Sequence, residues 1–273
     1  MTNPFDFSGK SVFVAGGSSG INLGIANAFA ASGAKVAIAS RSQERVDRAC
    51  EELRRHGREV LGRSADVRDF AAIAAALAAA HEAFGEIDVL VSGAAGNFPA
   101  PALGMSANAF KVVVDIDLLG TFNVLRAAHQ YLTKPGASII NISAPQSYNP
   151  MPLQAHACAA KAGLDQVMRV LAMEWGPDGI RVNSIAPGPI AGTEGVARLS
   201  GSEAVRQSMA KRIPLGRLGT LDDVAELALF LASPWASYIT GALIPCDGGW
   251  SLWGGGLSST AMAMEAGAVP GRS

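Results

Sequence analysis

VFVAGGSSGINLGIANAFA, Val12 to Ala30, decides how the chain folds. Val12-Phe13-Val14-Ala15 is short, apolar and continuous, the pattern of a strand covered on both faces. Gly16-Gly17-Ser18-Ser19-Gly20 is a tight glycine turn. Ile21, Ile25 and Phe29 then recur every four residues, which predicts a helix with those side chains inward. Strand, glycine turn and helix in this order make a phosphate cradle. Glycine lets the backbone bend and approach a pyrophosphate, and the helix start offers free N–H groups and a positive dipole end. The alternative is a β–α turn that needs glycine for packing alone. Gly16, Gly20 and Gly24 are spaced by four, and Asn22 stands where a third turn glycine is usual.

The rest of the chain repeats this alternation. Strands are expected at Lys35 to Ser40, Val60 to Arg63, Ile87 to Ser92, Ser138 to Ser143, Ile180 to Ala186 and Ala242 to Pro245. Helices are expected from about Gln43 to His56, across the alanine-rich run ending at Gly85 (Ile73, Leu77 and Phe84 inward), from Ser106 to Leu132, up to Trp175, and from Asp222 to Leu231. Such regular alternation implies an α/β fold, a Rossmann-like doubly wound parallel sheet in a single domain. That domain is expected to span residues 1–253. A mobile flap is expected at about 190–219, and a flexible tail at 254–273, which is rich in Gly, Ser, Ala and Met.

Bulk properties remove several function classes. A net charge of −1 gives no footprint for nucleic acid or an anionic membrane surface. No apolar run is long enough to span a bilayer. Cys50, Cys158 and Cys246 are far apart, so neither a metal spacing nor a redox pair forms; free buried thiols in a reducing compartment are expected. No metal site is expected. The final residues, Gly271-Arg272-Ser273, differ from a Ser-Lys-Leu address, and the expected location is cytoplasmic.

In a doubly wound sheet, ligands collect at the carboxyl ends of the strands. Ser40-Arg41 ends the second strand, where an acid would favour a free ribose hydroxyl; an arginine instead welcomes a 2′-phosphate and points to NADP(H), unless it is a solvated residue heading the next helix. Asp66 and Val67 can bracket an adenine ring, or simply connect strand to helix. Ala94-Ala95-Gly96 lets a flat cofactor lie against backbone. Pro187-Gly188 and Ile190 leave the sixth strand on the same edge. Asp115 and Asp117 interrupt an apolar helix, and Lys161 sits among alanines.

Ser8 to Leu252 resembles the short-chain dehydrogenase/reductase family. The resemblance rests on the glycine turn, Ala94-Ala95-Gly96, Asn141-Ile142-Ser143, Lys161, Arg181-Val182-Asn183, Pro187-Gly188 and Asp247-Gly248-Gly249. It implies binding of NADP(H) by Gly16, Ser18, Ser19, Gly20, Ile21, Asn22 and the loop residues above, with Lys161 on the nicotinamide ribose. The family's ketone chemistry uses a Tyr four residues before the Lys, a Ser thirteen before that Tyr, and an Asn on the long helix. Those positions are Ala157, Ala144 and Asp117; Ser143 is one residue off. Alanine donates no proton, so ordinary ketone reduction is disfavoured. Asn97-Phe98, Asp115-Ile116-Asp117, Leu153-Gln154-Ala155-His156-Ala157, Glu174-Trp175-Gly176-Pro177 and Pro189-Ile190-Ala191-Gly192-Thr193-Glu194-Gly195 look like the 2,4-dienoyl-CoA reductases, the peroxisomal type above all.

That subfamily resemblance implies a hydride to the δ carbon and a proton to the α carbon of a 2,4-dienoyl-CoA thioester. Asp117 and Asp247 then become candidates for holding the water that delivers the proton; otherwise Asp117 is a helix–helix bond and Asp247 a turn residue. In mitochondrial-type enzymes a further Tyr stands fifteen residues before the Lys, where this chain has Gln146. Phe98, Gln146 and Tyr148 are candidates for the acyl pocket, with loop packing as the alternative for the two aromatics. His156 reads as a packing histidine. Arg198, Arg206, Lys211 and Arg212 are possible partners for the CoA phosphates, or a solvated face. The family also implies a homotetramer built through the two long helices. Two other functions compete: a 3-oxoacyl or carbonyl reductase with a shifted acid, and a cofactor-loaded sensor without catalysis. The lost Tyr weighs against the first, and retained Lys161 with two acids against the second.

Overall fold

A computed structural model describes residues 5–193, 195–196 and 202–253. Seven strands form one sheet: β1 Ser11–Ala15, β2 Lys35–Ser40, β3 Val60–Ser64, β4 Val89–Ser92, β5 Ser138–Ile142, β6 Arg181–Pro187 and β7 Leu243–Cys246. Their order is β3-β2-β1-β4-β5-β6-β7, and every neighbouring pair is parallel. This is the doubly wound arrangement expected from the alternation. The strand order reverses between β1 and β4, so a crevice opens at their carboxyl ends.

Period-two alternation splits the core into two layers. Val12 and Val14 of β1 face a cluster with Ile25, Phe29, Val224 and Leu231. Phe13 and Ala15 face the opposite cluster, with Ile73, Leu77, Val124 and Met168. The described helices are α1 Gly20–Ala31, α2 Gln43–Arg54, α3 Phe70–Phe84, α4 Ala107–Val114, α5 Gly120–Ala128, α6 Ala155–Trp175, α7 Glu203–Lys211 and α8 Leu221–Ala232; α1 and α8 supply the first set, and α3, α5 and α6 the second. Caps set several starts: Ser42, Asp69 and Ser106 each accept a backbone N–H of the first turn, and Thr220 with Asp223 forms a reciprocal capping box on α8.

Five sequence expectations need correction. Ile21 is only half-buried; it lies where α1 meets the crevice, so Ile25 and Phe29 carry the packing. Phe84 is half-buried at the end of α3, and Cys158 and Cys246 are half-buried thiols while Cys50 is buried. Ile87 precedes β4 and makes a lone parallel bridge to Leu132. Finally, Ser106 to Leu132 is not one regular helix. Between α4 and α5, residues Asp115–Leu119 form a π turn, in which Gly120 N–H reaches back five residues to the Asp115 carbonyl. Gly120 is required there, because a Cβ would lie 2.5 Å from Cγ2 of Val67. Asp117 is turned inward and is 1% exposed, while Asp115 stays at the rim, paired with Lys111. The tail at 254–273 lies outside the described residues.

Candidate active site

Two cavities meet at the carboxyl edge of the sheet and share Asn22, Gly93 and Ala95 in their walls. The smaller, about 210 Å³, is lined by Gly16, Ser18, Ser19, Arg41, Arg45, Asp66, Val67 and Ala94 among others. The larger, about 340 Å³, takes in Ile21, Asp117, Gln146, Lys161, Pro187, Gly188 and Ile190. The residues expected to hold the cofactor therefore come together, divided between two halves that fit a dinucleotide. Gly20 and Gly96 lie outside both linings. Gly20 starts α1 at φ +57°, and Gly96 donates its N–H to Asp117.

The cradle passes a structural test for a pyrophosphate. Gly16 and Gly20 both have positive φ, which only glycine adopts cheaply. Ser19, at the N-cap of α1, accepts no N–H from the helix through its side chain, so the first-turn N–H groups are left for an anion. Asn22 fills the place of the usual third glycine and binds across the crevice: Nδ2 donates to the Gly93 carbonyl at 2.8 Å and approaches that of Gly16 at 3.4 Å. In the smaller cavity, Ser18 Oγ donates to Ser40 Oγ at 2.8 Å. Asp66 is gripped by Arg68, whose Nε and Nη2 reach its two oxygens; this contact holds the carboxyl below its ordinary range.

In the larger cavity, Lys161 and Asp117 are the charged pair. Lys161 is 7% exposed; its Nζ donates to the Ile142 carbonyl at 2.9 Å and stands 3.4 Å from Asp117 Oδ2. Gly96 N–H donates to the other Asp117 oxygen at 2.7 Å, and Thr121 Oγ1 donates to the Asp117 carbonyl. Asp117 thus bridges the β4 loop, the π turn and α6. Ala157 and Ala144 line the same cavity and bring only methyl groups. An ammonium has three donors, so one N–H of Lys161 is left for a bound molecule.

Other expected residues are not assembled there. Asp247, at the end of β7, accepts N–H from Gly249 and Ser251, both at 2.9 Å, and lines a neighbouring depression rather than this cavity. Its backbone abuts Gly188, where a Cβ would lie 2.7 Å from Asp247 Cα. Phe98 packs edge-on against His156, centroids 4.5 Å apart, and Tyr148 is 41% exposed; neither lines the cavity. Gln146 does line it and donates to Gln154, which also accepts from Asn97. His156 is buried in this packing, as its sequence context suggests.

The segment from Ile190 returns to the sheet edge at Gly219, where the two residues form a parallel bridge. Thr193, Gly195, Val196 and Met209 from it line the cavity. Arg206 and Lys211 lie on α7 and Arg212 at its end; Arg198 lies outside the described residues. Sequence reading missed Asp165 and Gln154. Asp165 follows Lys161 by one helical turn on an apolar face, a spacing that could have singled it out. Gln154 stands in the sequence reading only within the stretch Leu153-Gln154-Ala155-His156-Ala157, with no role assigned.

A family model described as Enoyl-(Acyl carrier protein) reductase matches residues 15–251. The peroxisomal 2,4-dienoyl-CoA reductase [(3E)-enoyl-CoA-producing] of Pongo abelii is 48% identical over 242 residues, 88% of this chain and 83% of that protein. A probable 2,4-dienoyl-CoA reductase [(2E)-enoyl-CoA-producing] of Bacillus subtilis is 40% identical over 243 residues, 88% of this chain and 96% of that one. Among solved structures, a short chain dehydrogenase from Bacillus anthracis superposes with a TM-score of 0.80 at 38% identity, covering 89% of this chain and 96% of that chain.

Proposed function

This chain belongs to the short-chain dehydrogenase/reductase family, and we propose that within it the reaction is NADPH-dependent reduction of a 2,4-dienoyl-CoA thioester. The chain is an oxidoreductase and its cofactor a nicotinamide dinucleotide. NADP(H) is favoured over NAD(H) by Arg41 and Arg45 in the wall of the adenosine cavity, beside Ser18 and Ser40 and with no acid at the end of β2. The bound cofactor supplies a hydride.

One observation carries the choice of substrate: Ala157 and Ala144 line the cavity beside Lys161. A ketone needs a proton on oxygen, and neither methyl group can give one. A conjugated dienoyl thioester takes hydride at its δ carbon and its proton on carbon, so it does not need that hydroxyl. Lys161 binds the ribose and keeps the field positive where the thioester oxygen gains charge. Asp117, fixed by Gly96 and Lys161, orients the water that protonates the α carbon. Asp247 joins it only through a lone pair not used by its turn, since each oxygen already accepts one N–H. Gln146 borders the acyl chain, with Phe98 and Tyr148 behind the wall. The CoA phosphates would meet α7.

A homotetramer through α4, α5 and α6 is part of the proposal; Phe110, Phe122, Val170 and Met173 on those helices, with Leu119 of the π turn between them, leave an exposed apolar surface. A cytoplasmic location is also proposed, supported by three unpaired thiols. Among the described residues, no helix is long and apolar enough to cross a membrane. NADPH oxidation with 2,4-hexadienoyl-CoA, and none with acetoacetyl-CoA, is the expected result. The reverse pattern would establish the carbonyl-reductase alternative.

A further inference from the structure

The larger cavity has an apolar wall that the mechanism above does not use. Met151, Val196, Met209 and Trp250 line it. They come from the loop before α6, the segment after β6, α7 and the turn after β7. Lys161 marks the opposite, reacting end: its ammonium sits on the carbonyl of Ile142, the last residue of β5. Trp250 follows β7, two strands further across the sheet. At about 4.8 Å per strand, the end of β7 lies roughly 10 Å from that of β5.

The turn that carries Trp250 is held from three sides. Asp247 accepts the N–H groups of Gly249 and Ser251, both at 2.9 Å. Leu215, beyond α7, donates its N–H to the Gly248 carbonyl at 3.2 Å. Asn149, from the loop before α6, donates through Nδ2 to the Ser251 carbonyl at 3.1 Å. The backbone has no room to retreat. Gly248 and Gly249 have φ of +62° and +87°, and a Cβ on them would lie 2.7 Å from Ile213 Cγ2 and 2.9 Å from Pro214 Cγ. The indole is therefore fixed at its root. Met151 and Met209 are unbranched thioethers that rearrange around a ligand; a large, rigid indole does not. The cavity, about 340 Å³, is near the lower end of the range for small-molecule sites, and it must take the nicotinamide as well as an acyl chain.

We infer that Trp250 is a specificity-determining residue that closes the acyl pocket, so that a short dienoyl chain stops against its indole. Asn149 is a positioning residue that holds the indole there through Ser251. The identity of the chain rests on the dienoyl-thioester reading above. A wall at the distal end discriminates by chain length, whereas a wall on the CoA side would act equally on every length.

Steady-state kinetics with NADPH and either 2,4-hexadienoyl-CoA or 2,4-decadienoyl-CoA test the wall. The wild-type chain should favour the hexadienoyl thioester in kcat/KM. Trp250→Ala should raise the decadienoyl-to-hexadienoyl ratio about tenfold, the effect of burying about two further methylenes, and chiefly through KM. Trp250→Phe keeps an aromatic wall, guards against a folding defect and should give a smaller rise. Asn149→Ala should move the ratio the same way, and adding it to Trp250→Ala should change the ratio no further; a purely structural role would lower both substrates alike. A wild-type preference for the longer chain, or an unchanged ratio in Trp250→Ala, would overturn the inference. Calorimetry separates it from the reading it rests on. Hexanoyl-CoA and decanoyl-CoA, which have no double bond to accept hydride, are titrated into the NADP⁺-loaded protein. If the wild-type chain turns over no dienoyl-CoA, the substrate reading fails, and a tenfold shift in the Kd ratio of Trp250→Ala would still support the wall. An unchanged Kd ratio, or no binding of either acyl-CoA, would overturn it.

Discussion

Asp117→Asn separates the chemistry of the buried pair from its packing. Asp117 and Lys161 are 3.4 Å apart. At an effective dielectric of about 20, two unit charges at that distance attract by about 5 kcal/mol, before the cost of removing both from water. The substituted amide would keep the volume and still accept from Gly96 N–H through its oxygen, but it would leave the ammonium buried with the Ile142 carbonyl as its one acceptor among the described residues. Breaking a buried pair from one side costs about 3–5 kcal/mol, which at this chain length lowers Tm by roughly 6–20 °C. Asp117→Ala should fall further, because Gly96 N–H also loses its acceptor. Both variants should bind NADPH within about threefold of wild type, since the proposed pyrophosphate and adenosine contacts are elsewhere. Turnover of 2,4-hexadienoyl-CoA should drop about 100-fold or more. Fluorescence titration, thermal melts and steady-state kinetics on the same preparations make the comparison. Wild-type turnover in a folded Asp117→Asn variant would remove the carboxylate from the mechanism.

Three further outcomes follow from local contacts. Arg41→Asp should weaken NADPH binding by about 1.5–3 kcal/mol, roughly ten- to a hundredfold, and strengthen NADH binding; unchanged selectivity in titrations of both cofactors would assign the 2′-phosphate elsewhere. Gly93→Ala places a Cβ 2.0 Å from Asn22 Oδ1. Asn22 must swing away from the Gly93 carbonyl, costing about 1–3 kcal/mol of stability and weakening NADPH; Asn22→Ala in the same chain should relieve the clash, and a melt of the double variant no higher than Gly93→Ala would refute that cause. Asp223 accepts from Arg217 and caps α8, which holds its carboxyl well below the usual range. Its folded-state affinity for a proton is therefore lower than in the unfolded chain. Its contribution is full above about pH 4 and drains as pH falls toward the folded value. Asp223→Asn should flatten the fall in Tm below pH 4; an unchanged slope would exclude this group.

The sequence made the sheet legible because its signals are local. A continuous apolar strand, a glycine turn and a four-residue repeat each report on one element, and their alternation limits the topology. The glycine turn and the helix start that follows it were legible for the same reason. Elements that depend on distant residues were not. The π turn at Asp115–Leu119 is invisible to a 3.6-residue period, and Gly120 is explained only by Val67 from another loop. Asn22 reads as a missing glycine until Gly93, 71 residues away, is placed against it. Ser143 looks like a serine displaced by one position; its partner Asp165 comes from α6. Asp247 shows the converse: its place beside a double glycine is readable, whereas the direction of its carboxylate, into its own turn, is not.

The most direct test follows the hydride. Incubation with NADPH deuterated at the transferable position and 2,4-hexadienoyl-CoA, with the product analysed by mass spectrometry and NMR, locates the new C–D bond. The expected result is one deuterium at the former δ carbon of an enoyl thioester, with the α-carbon hydrogen drawn from water. Deuterium found only on the carbinol carbon of a hydroxyacyl product from a 3-oxoacyl substrate, with the dienoyl thioester untouched, would contradict it.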